Sequence, residues 1–260
     1  MGEANIARLT LHTARRLLLS LRGLLAILFS LWMVLAVAYL YDSVMGSGSA
    51  LGELVDVFST NPQSEIQWFL FDSGLTKLVT LFVAPMFVFD AVSGDRSKER
   101  LGMILSRPIT RRDYILSKLA GASVAFGIIF FSVMALGFPL YQQKVPELDA
   151  GAYFATVALM YLLGVFSMCV VLMLSVLSRN NLISFIAAFG IMSVFMLPNA
   201  SKYSSSAFME AAKLTPHYYA TYFTTHNLDA LLYAGFALAI VAFSIPFLAI
   251  SVWKFKGEDL

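Results

Sequence analysis

The 260-residue chain is too apolar for a water-soluble protein. Hydrophobic residues make up 59% of it and charged residues 13%, whereas a soluble domain carries about 25% charge. The net charge of +2 is small, so the positions of the charges carry more information than their sum. Uncharged stretches recur from end to end and leave no polar block long enough for a soluble domain. The composition therefore predicts one membrane domain over residues 1–260.

Residues 1–22 predict an amphipathic helix at the membrane interface. Four arginines supply cations that can reach lipid phosphates. The apolar and small residues that recur at helical spacing are Ile6, Leu9, Thr10, Thr13, Leu17 and Leu18. The alternative is that this segment is only the positively charged flank of the first span. Because basic residues recur to Arg22 and the following run lacks a small-residue cleavage site, we expect the segment to be retained.

Six apolar runs are long enough to cross a membrane, which takes about 20 residues in a helix. The second run carries Lys77 and Asp90 near its ends, and the others are uncharged. The runs are 24–41, 75–92, 119–141, 151–177, 182–200 and 230–252. The sequence thus predicts an all-α integral membrane fold with six transmembrane helices.

The distribution of Lys and Arg predicts the orientation of these spans. Short loops rich in basic residues stay in the cytoplasm. If both termini are cytoplasmic, only Lys77, Lys144, Lys202 and Lys213 of the 18 basic residues lie outside. We therefore expect a multi-pass protein of the plasma membrane with both termini in the cytoplasm.

The last outer segment, 201–229, differs from an ordinary loop. Small and apolar residues precede Pro216, and an aromatic cluster of the kind that settles at membrane interfaces follows it. The pattern predicts a pair of short re-entrant helices before the sixth span. His217 and His226 share this segment with two acids, but their wide spacing is weak evidence for a metal site.

The densest charge cluster lies in the cytoplasmic segment 93–113, between the second and third spans. Charged residues precede and follow Leu101, Met103, Ile104 and Leu105 there, which predicts a short helix that docks on another surface. Pro108 ends this helix, and Thr110 is placed to cap a helix that begins at Arg111 and enters the third span. The alternative is a solvated loop that only sets the topology.

Two stretches resemble the signature of ABC-2 type permeases. The first reads FDAVSGD at 89–95 and ERLGMILSRPITR at 99–111. In the family, this region contains one or two acidic residues, a Leu-Leu-Ser-x-Pro segment and a Lys that opens the third span. The stretch is similar to this pattern, and Lys118 stands at the position of the Lys. Leu101-Gly102-Met103 departs from the Gly-Thr-Leu of many members. The second stretch, LTPHYY at 214–219, is similar to the family's Leu-[ST]-Pro-x-x-Tyr segment before the last span.

The resemblance implies a permease subunit of an ABC transporter of the type V exporter-like kind. Such permeases pair as dimers, with a second copy or a sister permease, and each docks a coupling helix on a separate ATP-binding subunit, two per complex. This chain contains no G-x-x-x-x-G-K-[ST] phosphate loop, so we expect ATP and magnesium to bind the partner. We assign the chain no catalytic, cofactor or metal residue. By family analogy, the cargo is an exported amphipathic, lipid-like, peptide or drug-like molecule.

The contact with the ATP-binding subunit is expected in the segment 93–113. Its charged members would steer the partner, and its apolar members would be buried against it. These residues are Arg96, Glu99, Arg100, Leu101, Met103, Ile104 and Leu105. The turn 178–181, with Arg179 and Asn180, is a second candidate contact with the same partner.

Three points remain open: the role of Asp90 and two other classes of membrane protein. Asp90 near the inner end of its span is either a structural partner of a nearby cation such as Arg96 or a proton relay. A secondary transporter driven by an ion gradient would need ionisable residues at mid-membrane and internal repeats, neither of which is evident. A membrane-embedded enzyme would need a convergent set such as paired His and carboxylates, and of these residue types the spans contain only Asp90.

Overall fold

The computed structural model describes residues 2–45, 82–97, 109–146, 148–178, 180–200, 205–221 and 230–257. Over these residues the chain is helical and forms no strand, so the all-α prediction is confirmed. The helices are α1 (Gly2–Leu18), α2 (Leu21–Met45), the single turn α3 (Ala84–Met86), α4 (Ser93–Ser97), α5 (Arg111–Lys144), α6 (Ala150–Leu177), α7 (Asn181–Ala200), α8 (Ser206–Lys213), α9 (Pro216–Thr221) and α10 (Ala230–Lys256).

Four helices are long and apolar enough to cross a membrane: α2, α5, α6 and α10. They coincide with the first, third, fourth and sixth predicted spans. Helix α7 covers the fifth, but its apolar part, Leu182–Leu197, is shorter than 18 residues. Residues 75–81 of the second predicted span lie outside the described residues. Residues 82–83 form a π-helical turn before α3, and residues 87–92 form turns after it. The count of six spans therefore stays a prediction.

Helix α6 lies at the centre of the bundle, with α5, α7 and α10 against it. Tyrosine hydroxyls tie neighbouring helices by donating to backbone carbonyl oxygens that already belong to a helix. These bonds are Tyr141 to Val34 (3.1 Å), Tyr153 to Met134 (3.0 Å), Tyr161 to Ser123 (3.2 Å) and Tyr233 to Ala155 (3.0 Å). Because hydrocarbon supplies no hydrogen-bonding partner, each of these four hydroxyls bonds to an acceptor inside the protein.

Helix α1 turns one face towards the bundle, and that face packs on α5. Ala14 is buried, and Leu17 and Leu18 pack against the core. A Cβ atom added at Gly121 of α5 would lie 2.8 Å from the carbonyl oxygen of Thr10 and 2.6 Å from Cβ of Thr13. The missing side chain therefore allows the two helices to touch. Part of the face that the sequence suggested for lipid is covered by protein.

A tight elbow joins α1 to α2. The hydroxyl of Ser20 donates to the carbonyl of Leu17 (2.6 Å) and accepts from the backbone N–H of Gly23 (3.3 Å). A Cβ atom at Gly23 would lie 2.6 Å from the carbonyl oxygen of Leu17, so a side chain does not fit here. The elbow fixes where the first turn of α2, including Arg22, meets the rest of the protein.

The short helices α8 and α9 lie where the sequence predicts a pair of short helices. Ser205 caps α8 by accepting from the backbone N–H of Phe208 (3.3 Å). Thr215 and His217 are buried, and the ring of Tyr219 lies 5.2 Å from that of Phe236 on α10. The LTPHYY stretch therefore packs on the bundle, whereas its immersion in the outer leaflet stays a prediction.

Gly121→Ala should destabilise the protein because the new methyl group meets backbone and side-chain atoms of α1. Overpacking of this kind costs about 1–3 kcal/mol. The matched control is Gly235→Ala on α10, where no atom lies within 4 Å of the added carbon. We expect the midpoint of thermal unfolding in detergent to fall only for Gly121→Ala. Equal midpoints for the two variants would contradict the close approach of α1 and α5.

Candidate functional site

Polar side chains cluster at the end of the bundle from which the segment 98–108 departs. We call this cluster the junction network and define it by the residues that connect the helix ends there. They are Arg22, Asp90, Ser93, Asp95, Arg96, Arg111, Tyr114, Lys118 and Ser175.

Asp90 is held by Arg22, from the first turn of α2. Both terminal nitrogens of the guanidinium donate to the carboxylate, at 2.6 and 2.5 Å, which fixes the relative orientation of the two groups. The guanidinium carbon also lies 4.7 Å from the centre of the Phe89 ring. Asp90 thus has a structural cation partner, but the suggested partner, Arg96, is wrong. The ion pair between Arg22 and Asp90 connects the elbow of α1 and α2 to the residues just before α4.

Asp95 of α4 is the second anchor. Its carboxylate accepts from the hydroxyl of Tyr114 (2.7 Å) and from the ammonium group of Lys118 (2.6 Å), both on α5. The side chains of Lys118 and Asp95 are only 15% and 11% exposed. Tyr114 and Lys118 are four residues apart, so they project from one face of α5. Lys118, the residue matched to the opening of the third span, is therefore the counter-ion of Asp95.

A third set of bonds joins α4 to the end of α6. The guanidinium of Arg96 donates to the carbonyl oxygens of Val176 and Ser178 at 3.3 Å, and a cation at these carbonyls is favoured by the helix dipole. The hydroxyl of Ser175 accepts from the backbone N–H groups of Val92 and Ser93, both at 3.2 Å. The beginning of α4 and the last turn of α6 therefore form one hydrogen-bonded unit.

The start of α5 holds the end of α10. Arg111 donates to the carbonyl oxygens of Phe255 (3.3 Å) and Lys256 (3.0 Å), and the ring of Tyr114 stacks on that of Phe255 at 5.6 Å. Thr110 accepts from the backbone N–H of Asp113 (3.1 Å), so the predicted N-cap is confirmed.

The structure covers part of the predicted contact. Glu99, Arg100, Leu101, Met103, Ile104 and Leu105, and also Arg179, lie outside the described residues. Arg96 is described and bonds to carbonyls of its own chain, so its contact with a partner stays a prediction. Asn180 is exposed, and its side-chain oxygen accepts from the backbone N–H of Leu182 (2.8 Å) at the start of α7.

Sequence reasoning missed the contributions of Arg22, Tyr114 and Ser175 to this site. The available signal was weak: each is a polar residue near the end of an apolar run, as many membrane proteins have. Within the described ranges, no group of three or more His, Cys, Asp or Glu could hold a metal ion.

The arrangement is suited to transmitting force. It contains paired charges, capped helix ends and buried hydroxyl groups, and it connects α2, α4, α5, α6 and α10 at one end of the bundle. Moving Lys118 away from Asp95 would leave two nearly buried charges without compensation, so this joint resists separation. The segment 98–108 begins and ends at this network.

The family described as "ABC-2 family transporter protein" matches residues 4–260, which is nearly the whole chain. The search of curated proteins finds no match.

Asp95→Asn should destabilise the protein by about 3 kcal/mol because it leaves the nearly buried ammonium group of Lys118 without its counter-charge. Asp95→Asn together with Lys118→Met should recover part of this loss, since no uncompensated charge remains. Thermal unfolding of the purified chain measures both effects.

Glu210→Gln is the matched control for this experiment. It removes the carboxylate of the exposed pair between Lys213 and Glu210 (2.6 Å), and exposed pairs contribute little. We expect no measurable change. A wild-type midpoint for Asp95→Asn would show that the buried pair does not hold α4 on α5.

Proposed function

Because this chain belongs to the ABC-2 family of transporter proteins, and is thus a membrane permease of an ABC transporter, we propose that it receives its driving movement through the segment 98–108. In this proposal the segment docks on a separate ATP-binding subunit. The junction network then passes the movement of that subunit to the spans.

The observation that supports this proposal is that both ends of the segment are anchored. At the entry, Asp95 is bonded to α5 and Arg96 to α6. At the exit, Thr110 caps α5, and the adjacent Arg111 is bonded to the end of α10. A displacement of the segment therefore acts on several spans at once.

The pair between Arg22 and Asp90 adds α2 to this unit. Its two parallel hydrogen bonds resist rotation better than a single bond would. The elbow with Ser20 then connects α2 to α1. Under this proposal, α1, α2, α5, α6 and α10 respond together as rigid elements when the partner moves.

Family membership implies association with an ATP-binding subunit. The chain carries no phosphate-loop motif, so we assign ATP, magnesium and hydrolysis to that partner and no enzymatic activity to this chain. We propose a complex of two ATP-binding subunits and two permeases, the second being another copy or a sister permease.

The docking surface proposed for the partner has two parts. The larger contains Glu99, Arg100, Leu101, Met103, Ile104 and Leu105, with Arg96 at its edge. The smaller is the turn with Arg179 and Asn180. Arg96 bonds to the carbonyl of Ser178, so one side chain connects the two parts.

We propose the plasma membrane as the location, with both termini in the cytoplasm, and export of an amphipathic, lipid-like, peptide or drug-like cargo. The alternative is a secondary transporter driven by an ion gradient. It is less favoured because the apolar runs 24–41, 119–141, 151–177 and 230–252 contain no Asp, Glu, Lys, Arg or His, and Asp90 is paired with Arg22.

Leu101→Asp together with Leu105→Asp should separate the permease from its ATP-binding subunit. Burial of two leucines contributes about 3–6 kcal/mol, so the affinity should fall at least about 100-fold. We would tag the chain in its native host, purify it in mild detergent and identify any soluble subunit with a phosphate loop that accompanies it. ATP hydrolysis by the purified wild-type complex would then be compared with that of the variant. The amount of permease in the membrane should not change.

The control for this test is Leu101→Met with Leu105→Met, which keeps the apolar volume and should retain the partner. If the aspartate variant still retains the partner and its ATP hydrolysis, the docking assignment is wrong. If no ATP-binding subunit accompanies even the wild type, and ATP has no effect, a gradient-driven role should be tested.

Thiol labelling in intact cells tests the proposed orientation. A membrane-impermeant maleimide should modify Glu210→Cys without permeabilisation, and Arg8→Cys only after it. Both positions are exposed, and the native Cys169 is only 2% exposed, so it contributes little background. Labelling of Arg8→Cys alone in intact cells would reverse the assigned topology.

A further inference from the structure

The outward face of α1 combines arginines with exposed leucines. Arg8, Arg15 and Arg16 are exposed, and between them Leu11 is 70% exposed. At 100° per residue, these side chains occupy the half of the helix opposite to the face that packs on α5. Leu19, 78% exposed, extends the same side towards the elbow.

The position of α1 along α5 places this face at the level of the membrane surface. Lys118 is the last charged residue of α5 before Lys144, and Gly121, where α1 crosses, follows about one turn later. A charged residue followed by a long uncharged run marks the boundary between headgroups and hydrocarbon. Helix α1 therefore crosses α5 at this boundary.

The three arginines are not used within the described part of the chain. The ion pairs there join Arg22 to Asp90, Lys118 to Asp95 and Lys213 to Glu210, and none involves Arg8, Arg15 or Arg16. Their guanidinium groups are thus available for anions outside the protein.

The first turns of α2, directly after the elbow, add further exposed leucines. Leu21, at the elbow, is 71% exposed, and Leu24, Leu25 and Leu28 follow it as exposed residues of a membrane-spanning helix. Guanidinium groups at headgroup level can bind the phosphate of a phospholipid, and the neighbouring exposed leucines can contact its acyl chains.

We infer that the outward face of α1 binds anionic phospholipids, with Arg8, Arg15 and Arg16 on the phosphate groups and Leu11, Leu19 and Leu21 on the upper acyl chains. The exposed leucines favour lipid over a water-soluble protein partner, which would have to cover them at the depth where hydrocarbon begins. The association requires no movement of α1 from α5.

Native mass spectrometry of the full-length chain in dodecyl maltoside tests this inference. Phosphatidylglycerol and phosphatidylcholine would be titrated separately, and the apparent affinity of the first bound lipid would be measured. We expect the wild type to prefer phosphatidylglycerol by more than about tenfold. The preference should weaken in high salt because the arginines are exposed.

Arg8→Gln with Arg15→Gln and Arg16→Gln should remove most of this preference, since each basic residue near an anionic surface contributes about fivefold in affinity. Glutamine has nearly the helix propensity of arginine, so α1 should remain folded. The matched control is Lys254→Gln with Lys256→Gln, which removes exposed cations at the end of α10 and should leave the preference intact.

Several outcomes would overturn the inference. The inference is wrong if the wild type binds the two lipids equally, or if the arginine variant keeps the preference for phosphatidylglycerol. It is also wrong if the lysine variant loses as much of this preference as the arginine variant does. If the arginine variant keeps its lipid preference but no longer retains an ATP-binding subunit, the face is a protein-docking surface instead. The lipid titration contains no ATP-binding subunit, so its result is independent of the proposed coupling.

Discussion

The carboxylate of Asp95 determines how the residues after the second predicted span meet the bundle. A charge with so little exposure to water needs a counter-charge and a hydrogen-bond donor, and Lys118 and Tyr114 supply both from one face of α5. Once α4 is fixed in this way, Ser93 and Arg96 reach the end of α6. The desolvation of one acidic residue thus organises the contacts of three helices.

Arginines have two functions at this end of the bundle. Arg96 and Arg111 are among the basic residues whose distribution predicts a cytoplasmic location, and they also bond to the terminal carbonyls of α6 and α10. The last carbonyls of a helix lack intrahelical partners and carry partial negative charge, so cations stabilise them. Residues whose distribution predicts the topology therefore also join the ends of these helices.

Much of the fold could be predicted from local pattern, because helix length, capping and charge bias are local properties. The apolar runs over α2, α5, α6 and α10, the cap at Thr110 and the helical spacing in α1 are of this kind. The partner of Asp90 could not be predicted in this way. Arg96 is close in sequence, whereas Arg22 is 68 positions away and becomes its neighbour only through the elbow at Ser20. The tyrosine bonds to carbonyls depend in the same way on how helices cross.

The packing of α1 on Gly121 also means that α1 is made before the helix it packs against. At about 5–20 residues per second, a ribosome makes Gly121 several seconds after the end of α1. During this interval the apolar side of α1, with Ile6 and Leu17, has no α5 to cover it, and the bilayer surface is an apolar environment that an amphipathic helix can use instead. The amphipathic pattern therefore suits a nascent helix that first rests on lipid and later exchanges that contact for protein.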